Sequence, residues 1–165
     1  MTDTCVPTTS GPENTNLAQP TKFIVTFPEI STTVFFCQRV NLPGVQLSPV
    51  PHPTPGLDLY TPGVKLEYNT LDMSFLVNED LSSWMTIYNW MRDLSSNTTK
   101  YKDRTKKTAI VTYLSNLNNP KLRVIYNDIF PISLGDLEYD TTMSADEHIT
   151  STASFRYDYF DVERL

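Results

Sequence analysis

Large apolar residues recur at every second position in segment after segment of this chain, and at helical spacing only once. Phe23, Val25 and Phe27 alternate with Ile24 and Thr26, and a second run, Val34-Phe35-Phe36-Cys37-Gln38-Arg39-Val40, follows the break at Pro28-Glu29. Val64, Leu66 and Tyr68 alternate with Lys65 and Glu67, and Leu71, Met73, Phe75 and Val77 with Asp72, Ser74 and Leu76. Ala109 to Leu114 and Leu122 to Tyr126 flank an Asn- and Pro-rich turn, after which Ile129 to Leu137 interrupts the pattern. From Ile149 to Phe160, Ala153, Phe155, Tyr157 and Tyr159 oppose Thr152, Ser154, Arg156 and Asp158. A period of two puts alternate side chains on opposite faces of a strand, so these are half-buried strands. The first two runs read as a hairpin, as do the two around 115–121.

The single exception is Leu81, Trp84, Met85, Tyr88, Met91 and Leu94, whose three-and-four spacing predicts an amphipathic helix with Trp84, Met85, Tyr88 and Met91 facing the sheet. Asn78 or Asp80 is placed to cap its start. About seven strands and one helix predict a mainly β fold, a closed or sandwich-like β-barrel with one flanking α-helix. At 165 residues the chain has room for one core. Residues 1–20 are too poor in large hydrophobes to offset the entropy of ordering and read as an extended arm before a domain over 21–165.

Residues 41–63 carry Pro43, Pro49, Pro51, Pro53, Pro55 and Pro62 and read as a long, stiff, protruding loop. Such a loop inside a small domain is usually functional, and prolines reduce the entropy lost when it docks. Those prolines and Tyr60 are therefore candidate inter-subunit contacts. A Pro-rich ligand for an aromatic groove is the weaker alternative, because basic flanking residues are missing.

The formal charge of −6 argues against general nucleic-acid binding. The one basic concentration runs from Lys100 to Lys107, and Lys102, Arg104 and Lys106 are candidate partners for the acidic surface of another subunit. Cys5 and Cys37 make neither a disulfide framework nor a metal motif, and His52 and His148 belong to no metal spacing. Asp136, Glu138, Asp140, Asp146 and Glu147 read as solvated acidic surface. No nucleophile elbow, phosphate loop or cofactor motif is present in the sequence, so a non-enzymatic protein without cofactor is expected. The first residues show no signal-peptide pattern and no apolar run approaches the roughly 20 residues of a membrane helix, so no membrane anchoring is expected.

Several motifs, in order, resemble the T4-type tail tube protein family of contractile phages. They are Phe35 to Val40 with its cysteine, Leu42-Pro43-Gly44, Val77-Asn78-Glu79-Asp80 before Trp84 to Trp90, Phe130-Pro131, Leu134-Gly135-Asp136-Leu137 and Asp140. The resemblance covers about residues 20–160. It implies a tail-tube type fold, six copies per ring, and rings stacked into a tube through which DNA passes without specific binding. Self-association, sheath and baseplate proteins are the implied partners, and the virion tail, assembled in the bacterial cytoplasm, the implied location. In such a tube the polar face of the last strand, with Thr150, Thr152, Ser154, Arg156 and Asp158, becomes a candidate lining of the lumen. Alternatives are a baseplate tube-initiator or tail-completion ring, a tube subunit of a contractile injection system, and a monomeric β-sandwich binding module.

Overall fold

The computed structural model describes residues 20–30, 37–96, 106–142, 144 and 147–165. The arm up to residue 19, Lys102, Arg104 and the run Val34 to Phe36 lie outside the described residues. The strands are β1 (Phe23–Thr26), β2 (Cys37–Val40), β3 (Val45–Thr54), β4 (Leu57–Tyr68), β5 (Leu71–Leu76), β6 (Lys107–Leu114), β7 (Pro120–Leu134), β8 (Thr150–Arg156) and β9 (Tyr159–Arg164). One helix, α1 (Ser82–Ser95), follows β5.

All pairings are antiparallel. Seven strands form one bent sheet in the order β1-β6-β7-β8-β5-β2, with β9 also on β7, while β3 and β4 form a separate two-stranded sheet. No pairing of β1 with β2 closes the large sheet among the described residues, so the molecule is sandwich-like. Among the described residues β1 and β2 do not pair with each other as the expected hairpin requires. β1 pairs with β6, placing Val25 opposite Val111, and β2 pairs with β5.

The bend lies in β7, which runs through the segment that the sequence pattern marks as an interruption. Asp128 takes φ 58, and the register slips beside it between the Ala109–Tyr126 and Lys107–Ile129 pairs. This kink carries β7 from the β6 side of the molecule to the β8 side. Pro131 is tolerated farther on because β6 ends its pairing at Ile129, leaving an edge that needs no N–H donor. Opposite the kink, Tyr157-Asp158 divides the predicted last strand into β8 and β9, both on the same side of β7.

The core joins Val25, Val111, Val124 and Tyr126 to Leu71, Met73, Phe75, Ala153 and Phe155. The helix adds Ile87 and Trp90, 1% and 5% exposed, and Trp90 meets Phe27 and Phe155 at ring distances of 6.5 and 6.1 Å. The buried stripe is thus Ser83, Ile87 and Trp90, with Met91 and Leu94 at its margin. The expected stripe is about one residue out of phase. Met85 and Tyr88 are 41% and 42% exposed, because small Ser83 lets the helix approach on a face that looks polar in sequence. Neither expected residue is the cap: the N-cap is Leu81, at φ 55 and without a side-chain cap bond, and Asp80 Oδ1 one residue before it accepts from the Ser82 N–H at 3.3 Å.

Candidate assembly surface

The feature least explained by a single folded subunit is the β3–β4 hairpin. It continues the β2–β5 pair through a neck where Asn41 Nδ2 donates to the Thr70 carbonyl (3.1 Å) and the Asp72 N–H donates to Asn41 Oδ1 (2.7 Å). The Asn69 N–H also donates to the Gly44 carbonyl at 3.1 Å. Pro43 is buried in this neck, so it braces the arm from inside its own chain. Tyr68 anchors the other strand by packing on Tyr157 and Phe160, at ring distances of 5.8 and 5.5 Å.

The expected loop over 41–63 is therefore largely β-structure. The sequence signal against a strand was its prolines, and register shows why they do not prevent one. Pro49, Pro51 and Pro53 face Pro62, Tyr60 and Asp58, while Val50, His52 and Thr54 face Thr61, Leu59 and Leu57. With a two-residue Pro55-Gly56 turn, the Thr54–Leu57 pair is hydrogen-bonded and every second pair out from it likewise. All four strand prolines then fall at positions whose backbone nitrogens point away from the partner strand, where a missing donor costs no ladder bond. At the turn, Pro55 fixes its own φ and Gly56 supplies φ 92. Gly63 is needed at the irregularity near Ser48, since a Cβ there would run into the Ser48 carbonyl oxygen.

Every residue of β3 is exposed, and all of β4 except Gly63 and Tyr68. The faces differ. One carries Val45, Leu47, Pro49, Pro51 and Pro53 with Asp58, Tyr60, Pro62 and Leu66, and the other mixes Gln46, Ser48, His52, Thr54, Thr61 and Glu67 with the exposed apolar Val50, Leu57 and Leu59. His52 Nε2 and Thr61 Oγ1 lie 3.0 Å apart on this mixed face. A two-stranded hairpin with a solvated apolar face is marginal by itself and marks an interaction surface. Pro49, Pro51, Pro53, Pro55, Tyr60 and Pro62 are thus gathered on one projecting element, as the sequence led us to expect, but as a strand pair.

The other candidate residues lie apart from it. Thr150, Thr152, Arg156 and Asp158 are exposed on the outer side of β8 and just after it, and Ser154 is half-buried and donates to Asp72 Oδ1 at 2.6 Å. Ser74 shares this face opposite Thr152, and Ser133 pairs with Ser154, giving a hydroxyl-rich surface. Lys106 Nζ sits 2.6 Å from Asp158 Oδ2, so this lysine is engaged within its own chain.

At the end of β7, Gly135 is a junction. Its carbonyl accepts from Trp84 Nε1 and from Ser151 Oγ, each at 3.1 Å, and its N–H donates to the Thr152 carbonyl at 2.6 Å. A Cβ on Gly135 would lie 2.6 Å from Thr152 Oγ1, which explains a glycine in the Leu-Gly-x-Leu segment.

Reactive chemistry is sparse. Among the described residues no three His, Cys, Asp or Glu side chains are grouped to hold a metal ion. A shallow cleft of about 630 Å³ is lined by Asp136, Glu138, Asp140, Glu147 and His148 among others, on loops after β7. Hydrogen bonds from the Thr142 backbone and hydroxyl hold the Asp140 carboxyl below its ordinary range, which keeps it charged. Burial pushes the Cys37 thiol up to about 11, against a smaller lowering by the Arg39 backbone, so it is protonated and unreactive near neutrality, and it donates to the Arg39 carbonyl at 3.2 Å.

Residues 17–163 match the family described as phage tail tube protein. The chain is 31% identical over 159 residues to the tail tube terminator protein of Enterobacteria phage T4, covering 90% of each. Among solved structures, a chain of the six-fold symmetrised anti-feeding prophage baseplate superposes with a TM-score of 0.69 at 14% identity, covering 91% of this chain and 97% of that one. A chain of the anti-feeding prophage cap, described as tube-terminating, gives 0.67 at 13% identity, covering 96% and 99%. At these identities the two superpositions speak for a shared fold.

Proposed function

This chain belongs to the phage tail tube protein family, and from that membership we propose that it forms the ring of identical subunits that ends the tube of a contractile phage tail. It is a structural protein related to contractile-tail tubes. What carries the terminal role is 31% identity, extending over 90% of both chains, to a protein named as a tail tube terminator. The physics of the subunit supports ring formation. β1 and β2 each leave one edge of the large sheet unpaired among the described residues, and open edges are stable when neighbouring subunits cover them.

In this reading the subunit supplies a rigid conduit, with its own copies, the last tube ring and sheath proteins as neighbours and DNA in transit. The purified protein is expected to form closed rings of six on electron micrographs, and to stop elongation when added to growing tubes. Long tubes grown from this protein alone would sink the terminal role and make it the repeating tube subunit.

In this reading the lumen is lined by the face of Thr150, Thr152, Ser154, Arg156 and Asp158, because hydroxyls with balanced charge adhere weakly to a sliding polyanion. Thr150→Lys with Thr152→Lys adds two positive charges per subunit there and leaves the Ser154–Asp72 bond intact. DNA delivery by assembled particles is expected to slow, with the delay shrinking at high salt. Unchanged delivery with weakened sheath attachment would place this face outside.

A further inference from the structure

Besides the hairpin, a second exposed apolar feature lies on α1. Trp84 and Tyr88 are stacked, with ring centroids 5.4 Å apart and planes 10° from parallel, and Met85 lies exposed beside them. The bond from Trp84 Nε1 to the Gly135 carbonyl fixes the indole, so this aromatic platform is ordered before anything binds. Arg92, exposed and one helical turn beyond Tyr88, ends the same stripe.

Proline strips are recognised by flat aromatic surfaces, because extended proline-rich chain is already stiff and presents ring faces. The two features match in length. Pro49 to Pro53 spans about 13 Å at strand rise, and Trp84 to Arg92 about 12 Å at helix rise. Their charges also match, since Asp58 pairs with Pro53 at the hairpin tip. Neither Asp58 nor Arg92 forms an ion pair among the described residues.

We propose that the proline face of one subunit's hairpin seats on the Trp84–Tyr88 platform of a second copy of this chain, with Asp58 meeting Arg92. The contact uses two different patches, so it is head-to-tail and propagates around a ring until it closes. It is made through side chains. The outward nitrogens of β3 from Pro49 to Pro53 carry no hydrogen, so an added strand finds no donors along that edge.

This inference rests on the ring reading, and a charge exchange separates the two. Asp58→Arg and Arg92→Asp, each on an exposed position, are expected to weaken assembly about tenfold or more by setting like charges opposite each other. The double variant restores the pair with its signs reversed and is expected to return to within about threefold of the unaltered protein. Association is read by sedimentation and native mass spectrometry. A second arm places cysteines at Pro51 and Met85 in a Cys5→Ser background, and a short bis-maleimide is expected to link neighbours into ladders. Rings that form with no response to either single exchange and with no ladder would overturn the proposed contact and leave the ring standing. A protein that stays monomeric at every concentration would overturn both.

Discussion

Replacing residues 47–66 by an Asn-Gly turn joining Gln46 to Glu67 is expected to leave a folded subunit that no longer assembles. Gln46 and Glu67 are register partners at a hydrogen-bonded position, two residues out from the bonded Gly44–Asn69 pair, so the shortened hairpin closes on a pair suited to a two-residue turn. The removed residues are exposed apart from half-buried Gly63, and none belongs to the core. Domain stability should therefore change by less than about 1 kcal/mol, as for surface changes that touch no buried group. Assembly, in contrast, loses the whole proline face. Thermal melting followed by circular dichroism gives the first quantity, and light scattering with electron microscopy gives the second. Normal rings from the shortened protein would show that the hairpin is dispensable, and a collapse in melting temperature would show that it belongs to the folding unit.

The second large effect is expected at Trp90. Truncation to alanine empties a site where the indole is 5% exposed and meets Phe27 and Phe155, and large-to-small changes of this kind cost about 3 to 5 kcal/mol. For a domain of this size each kcal/mol moves the melting temperature by about 2 to 4 °C, so a fall of roughly 10 °C is expected. Trp84→Ala should cost clearly less, because it gives up one hydrogen bond and a half-exposed stack. Calorimetry on the two variants tests the phase of the helix directly. If Trp84→Ala proved the costlier change, the helix would present the opposite face to the sheet.

Those two tryptophans illustrate what was legible in the sequence. Helical spacing between β5 and β6 identified the element, because that signal is local, whereas the cap at Leu81 was not legible. Which stripe is buried was not legible. The sequence offers Trp84, Met85 and Tyr88 as the more hydrophobic face, and only the packing of Trp90 on Phe27 and Phe155 decides for the other. The misread stripe is itself informative, since an aromatic pair that the subunit does not bury is available to a partner.

For the strands, period two fixed which residues face the core, and Val111, Val124, Phe75, Ala153 and Phe155 are buried as the alternation requires. Alternation carries no information about partners, so the pairing of β1 with β6 across some 85 residues of sequence came only from the fold, through registers such as Val25 with Val111. The prolines of 49–62 show the same division. Their number and their odd spacing in β3 are written in the sequence, and the spacing is what an edge strand with outward nitrogens permits. Whether such a segment pairs or stays a loop depends on the neck at Asn41, Pro43 and Tyr68, which is assembled from three distant parts of the chain. The sequence by itself determined a mainly β subunit with one helix and a stiff projecting arm, since propensity and period act between near neighbours. The tertiary structure alone decided the bend of β7, the face of α1 and the strand pair of the arm, because each depends on contacts between residues far apart in the chain.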